Sequence, residues 1–319
     1  MREYRPVDPQ KSPRFSGIKT FMRLPHVTTT EGIDFAIIGV PFDTGASYRV
    51  GARFAPEAIR SISALLRPNN TVFNVSIFDH CSGVDYGDLP VVPGYIEESY
   101  KKIEKALFPL VDGGVNPILL GGDHSVTLPE LRAVVRNHGP VALIHFDSHA
   151  DIWEKVFEKP YNHGTPFRRA IEENLILVDH SIQVGMRGSA YTLDEIDVAR
   201  SLGFEVVPAH EAHEIGIPKV IERIRNRVGE AKAFVTFDID FVDPAYAPGT
   251  GTIEVGGFTS EEALRLVRGL AGLNMIGIDV VEVLPAFDPT QITAYLAANV
   301  VFEYMSLLAL AKKRANSEE

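Results

Sequence analysis

Four short apolar runs of this chain each end in acids or imidazoles, and that repeated ending limits the possible folds more than composition does. "PILL" (117–120) runs into Gly121, Gly122, Asp123 and His124. "VALIHF" (141–146) runs into Asp147, Ser148, His149, Ala150 and Asp151. "AFVTF" (233–237) runs into Asp238, Ile239 and Asp240, and "MIGIDVV" (275–281) runs into Glu282. An unpaired charge at the end of a buried run is costly. The four endings therefore call for a common partner.

Three further apolar runs, 33–40, 181–186 and 204–207, resemble the first four. Most lack polar alternation, as strands covered on both faces do. Helical patterns lie between them. Ile96, Tyr100, Ile103, Leu107 and Leu110 fall on one helix face, and Pro56 suits the start of a helix over 55–66. Thr259 and Glu262 form a capping-box pattern ahead of a helix over 259–272. Strand–helix alternation of this kind implies an α/β domain with a mainly parallel sheet, over residues 31–315. Residues 1–30, rich in Pro and Arg, are expected to lie over the surface or against a neighbouring subunit. In an open α/β sheet, ligands bind at the carboxyl ends of the strands. All four polar endings sit there.

A net charge of −11 disfavours duplex nucleic acid and anionic membranes as partners. Cys81, the single cysteine, excludes an intramolecular disulfide and fits a reducing, cytoplasmic setting. The stretch "MREYRPVDPQKSPRF" has no apolar core for a signal peptide. Residues 293–311 are apolar but carry Asn299 and Glu303, which suits a buried helix better than a membrane span.

Taken singly, Asp-x-Asp is a turn, GGDH is a tight turn, and His145 is a core histidine or a support for a neighbouring group. Several clusters at equivalent strand ends point instead to one site. His124, Asp147, His149, Asp151, Asp238 and Asp240 would bring two imidazoles and four carboxylates together. Without cations those carboxylates would repel. Two divalent ions would cancel the charge, and oxygen-rich ligation with imidazole suits Mn²⁺, with Ni²⁺ or Co²⁺ as alternatives. Fully extended, Asp147 to Asp151 would span roughly 13 Å, whereas bridged metals sit about 4 Å apart. The chain must curl after Asp147.

"GGDHS" (121–125), "DSHAD" (147–151) and "FDIDFVDPAYAPGTGT" (237–252) together resemble the signatures of the ureohydrolases: arginase, agmatinase and related guanidino-compound hydrolases. "PRFSGIKTFMRLPHV" resembles the agmatinase and guanidino-acid hydrolase branch. The resemblance implies a three-layer α/β/α fold, a two-Mn²⁺ site, and a homo-trimer or homo-hexamer. It implies that His124, Asp147, Asp151 and Asp238 hold one metal, that Asp147, His149, Asp238 and Asp240 hold the other, and that Asp151 also orients the hydroxide. By the same resemblance, His163 on a loop transfers a proton, and Glu282 pairs with the substrate guanidinium.

Arginases carry an Asn two residues after the last Asp of the second signature. Trp153 stands there, which disfavours arginine. Trp153, Phe157 and Tyr161, the bulky members of the 153–162 loop, are expected to set tail specificity. Agmatine is the default substrate, with guanidinobutyrate, guanidinopropionate or guanidine as alternatives. Ser125 is expected to act as a helix cap, and the glycines of 249–252 to permit an unusual backbone. A one-zinc amide hydrolase of related fold, or a non-catalytic metal-bound scaffold, are the readings from other classes.

Overall fold

A computed structural model describes residues 4–318; the first three residues of the expected surface segment lie outside it. Eight strands form the main sheet: β1 (Phe35–Gly39), β2 (Gly83–Asp88), β3 (Asn116–Leu120), β4 (Ala142–Phe146), β5 (Ile182–Val184), β6 (Glu205–Val207), β7 (Lys232–Asp238) and β8 (Asn274–Val281). Their order is β2-β1-β3-β8-β7-β4-β5-β6, and every pairing is parallel.

Alternate residues of one strand feed two separate cores, as a period of two requires. Phe35 and Ile37 of β1 face one apolar layer, as do Ile144 and Phe146 of β4. Ala36, Ile38 and Leu143 face the other. Helices Ala55–Ser63, Ile217–Val228, Ser260–Gly269 and Ile292–Glu318 cover the first face, and Ile96–Asp112 and Thr127–His138 the second. The result is a three-layer α/β/α fold with a parallel central sheet.

Thr259 accepts from the backbone of Glu262, and the Glu262 carboxylate accepts in return from the backbone of Thr259, so the capping box forms. The C-terminal helix is long and apolar enough to cross a membrane, yet 67% of its apolar window is buried inside the protein. Its interrupting Glu303 is 3% exposed and accepts two N–H groups of Arg268 and one of Asn70.

Three features depart from the sequence reading. Strand β2 has no apolar run to announce it. It is the last strand of the sheet, next to β1, with a parallel bridge from His26 to Asp85 on its other side, and its Asp85 binds buried Arg60 at 2.9 Å. Within the N-terminal segment, Phe21, Met22 and Leu24 are buried in the first core, while Phe15 and Ile18 remain exposed. The caps also differ: Asp123, not Ser125, accepts the first backbone N–H after β3.

Candidate metal centre

The strand order explains why the polar endings meet. β3, β8, β7 and β4 are consecutive neighbours, and all four point the same way. Their carboxyl ends therefore present His124, Glu282, Asp238 with Asp240, and Asp147 with His149 and Asp151 along one stretch of sheet edge.

One local device shapes three of these ends. Asp123 Oδ1 accepts the Ser125 backbone N–H at 3.0 Å, Asp147 Oδ1 that of His149 at 2.7 Å, and Asp238 Oδ1 that of Asp240 at 2.8 Å. A short carboxylate that binds its own backbone two residues on makes a compact turn. The chain therefore tightens straight after each strand, and Asp240 sits on a helical turn (Ile239–Phe241) instead of an extended continuation. The curl expected after Asp147 continues to Asp151, whose φ of 50° is left-handed. Glu282 has a φ of 61°. Non-glycine residues at such angles are strained and concentrate at functional sites.

The remaining aspartate oxygens converge. His124 Nδ1 lies 3.0 Å from Asp147 Oδ2, 3.0 Å from Asp151 Oδ2 and 3.2 Å from Asp238 Oδ2. Beside this group, His149 Nδ1 lies 3.4 Å from Asp147 Oδ1 and 3.2 Å from Asp240 Oδ2. Asp147 belongs to both sets. His145 touches Asp147 Oδ2 through Nε2 at 2.8 Å, and its other ring nitrogen meets Gln183 at 3.0 Å. That places it behind Asp147 as a support.

The donor set fits divalent cations. His124 Nε2 is hydrogen-bonded to the Thr236 hydroxyl at 2.8 Å, so a proton on Nε2 would leave Nδ1 free to bind a metal. Nδ1 faces three carboxylate oxygens, is fully buried, and makes no hydrogen bond. A cation there would satisfy the nitrogen and the oxygens together. The acid–base tendencies agree. Burial raises the Asp238 carboxyl well above the usual range, and Asp240 and Asp147 push it further. Burial also opposes charge on His124, yet Asp147, Asp151 and Asp238 hold it well above the ordinary imidazole value. The protons that this cluster draws in are the ones that cations displace.

Glu282 is 1% exposed, and its Oε1 accepts the His124 backbone N–H at 2.8 Å. The same oxygen lies 2.9 Å from His163 Nδ1. Ser47 donates its backbone N–H to His163 Nε2 at 3.0 Å, so Nδ1 carries the ring proton toward Glu282. Burial lowers the His163 pKa, but the charge and hydrogen bond of Glu282, with the charges of Asp151 and Asp123, together lift the value to about 9. Gly251 packs beside Glu282: an added Cβ would lie 3.4 Å from Arg49 O and 3.6 Å from Glu282 Oε2, in ordinary contact with both. The expected unusual backbone is absent from Gly249 and Gly251. The positive φ angles fall on Asp151 and Glu282 instead.

A cavity of about 1310 Å³ opens onto His149, Asp151, Asp238 and His163. Trp153 and Phe157 line it. Tyr161 does not: its ring packs edge-on against Tyr100 at 5.5 Å, inside the second core. A loop aromatic is drawn to whichever apolar surface lies nearest, and for Tyr161 that is the helix layer. Ser47, Thr236, Gln183 and Glu195 also serve this region. No local motif marks them in the sequence, because their role comes from strand pairing and loop apposition.

The Arginase family profile matches residues 33–306. A guanidinopropionase of Pseudomonas aeruginosa is 43% identical over 97% of this chain and 98% of its own length. A mitochondrial agmatinase of Gallus gallus is 41% identical over 92% of this chain and 86% of its own. The solved proclavaminate amidino hydrolase of Streptomyces clavuligerus superposes with a TM-score of 0.90 at 42% identity, over 94% of this chain and all of that one. Signatures, strand order and metal-binding residues agree with these matches, and the chain belongs to the arginase family, the binuclear-metal hydrolases that cleave guanidino C–N bonds.

Proposed function

We propose that this chain hydrolyses a short-tailed guanidino compound, agmatine by preference, to urea and an amine, with two Mn²⁺ ions at the His124–Asp147–Asp238 centre. The convergence of three carboxylate oxygens on the orphaned His124 Nδ1, next to the Glu282–His163 pair, is the observation that carries this reading.

Divalent cations bound there supply what neutral water lacks, a hydroxide within reach at physiological pH. The residues do the rest. His124, Asp147, Asp151 and Asp238 would hold one ion, and Asp147, His149, Asp238 and Asp240 the other. Asp151 would also accept a hydrogen bond from the nucleophile and orient it. Glu282 would receive the guanidinium: Oε1 is already occupied by two protein donors, which leaves Oε2 for the substrate. A charge-assisted bond to Oε2 turns the guanidinium carbon toward the carboxylate cluster. When the C–N bond breaks, the departing amine takes up a proton, and His163 Nδ1 is placed to give it.

Arg168 favours a second substrate class. It lines the cavity and its buried Nε has no partner, so a carboxylate tail could dock there. Urea release from metal-loaded protein, measured over agmatine, 4-guanidinobutanoate, 3-guanidinopropanoate, arginine and guanidine, tests the proposal. Agmatine is expected to lead. Urea from none of them, in protein that holds two metals, would remove it.

A further inference from the structure

The cavity carries a further carboxylate that the chemistry at Glu282 and His163 does not use. Glu195 lines the cavity at the start of a short helix (Glu195–Ser201). Its Oε1 accepts the indole N–H of Trp153 at 3.1 Å. Trp153 meets Tyr191 edge-on, with ring centroids 5.3 Å apart. Gly164 admits the indole: an added Cβ would lie 3.1 Å from Trp153 Cε3. Indole orientation is thus fixed by packing on one side and by the Glu195 bond on the other.

We infer that Glu195, with the faces of Trp153 and Tyr191, forms the subsite for the far end of the substrate and that it takes a primary ammonium on a short alkyl chain. This assignment rests on the hydrolytic reading above and narrows its substrate class. A carboxylate oxygen beside aromatic faces is a favourable setting for a cation, through a charge-assisted hydrogen bond and cation–π attraction. Glu195, Trp153 and Tyr191 line the same cavity as His149, Asp151 and His163, so one short ligand can meet both ends.

Three cationic side chains line the cavity: Arg187, Arg168 and Lys155. Arg187 spends its guanidinium on backbone carbonyls: Nε on Val255, Nη1 on Gly185 and Phe241, Nη2 on Asp240 and Glu254. Arg168 gives Nη2 to Glu154 at 3.3 Å, and its buried Nε has no partner. A carboxylate tail would also have to lie in the field of Glu195.

The test compares two small diagnostic ligands and three substrates. Calorimetric titration of metal-loaded protein with butane-1,4-diamine and with 4-aminobutanoate reads the distal charge without turnover. Urea release is measured with agmatine, 4-guanidinobutanoate and the neutral-tailed butylguanidine. Wild type is expected to bind the diamine more tightly than the amino acid and to favour agmatine. Glu195→Gln, which keeps size and the indole contact, is expected to weaken the diamine by about 10- to 100-fold. It should raise the agmatine KM to match while butylguanidine is unchanged, and Arg168→Met should leave the diamine unaffected. Tighter binding of 4-aminobutanoate by wild type, or a diamine affinity indifferent to Glu195→Gln, overturns the subsite. Diamine binding that depends on Glu195, with no urea from any substrate, upholds the subsite and removes the hydrolytic reading instead.

Discussion

His163 Nδ1 lies 2.9 Å from Glu282 Oε1, so a loop imidazole and a strand-end carboxylate 119 residues apart work as one unit. Ser47 closes the other side of the ring with its backbone N–H and hydroxyl. The Glu282 oxygen that takes this proton also takes the His124 backbone N–H. The Glu282 carboxylate is therefore anchored to the His124 turn, which fixes its position relative to the aspartate cluster.

Replacing Glu282 with Gln removes the charge and keeps the shape. The expected result is a loss of about 10²- to 10³-fold in kcat/KM, with the metal content per chain unchanged. Steady-state urea assays paired with elemental analysis check both halves.

Loss of the loop imidazole should act on turnover alone. For His163→Asn, kcat is expected to fall by about 10²- to 10⁴-fold, while metal content and substrate affinity stay near wild type. A rate equal to wild type would free His163 from proton transfer.

The same pair gives a pH dependence with a definite sign. The folded pKa of His163 is raised from 6.5 to about 9, since the cost of burial is exceeded by Glu282, Asp151 and Asp123 together. A raised histidine pKa contributes stability that is fully present below pH 6.5 and is lost as pH rises through about 9. The difference in unfolding free energy between wild type and Glu282→Gln should accordingly shrink over that interval. Denaturant titrations at pH 6, 8 and 10 measure it.

Away from the site, Thr259→Ala removes one half of a formed capping box. The expected cost is about 1 kcal/mol, or roughly 2–4 °C in Tm, with urea release unaltered. Differential scanning calorimetry reads the shift.

The site was legible in the sequence because charge at the end of an apolar run is a local signal. His124, Asp147, His149, Asp151, Asp238, Asp240 and Glu282 each announce themselves within ten residues of a buried strand. What brings them together is the sheet order, with β3, β8, β7 and β4 side by side, and no local pattern encodes that. The polar edge strand β2 escaped because only Val84 and Tyr86 meet the second core, while Asp85 and Asp88 bind Arg60. Tyr161 was misjudged for the converse reason: its surroundings are Tyr100 and Arg132, more than 25 residues away in sequence. Nor does the sequence around Asp238 announce that its side chain binds the Asp240 backbone and turns it.

The central claim is that Asp147 and Asp238 are shared between two cations. Elemental analysis of protein loaded with Mn²⁺ and then desalted tests it most directly, on wild type and on Asp147→Asn. Two metals per wild-type chain, and a loss of metal on Asp147→Asn that removes urea release with it, is the predicted result. One metal or none in wild type, or two metals retained by Asp147→Asn, would contradict it.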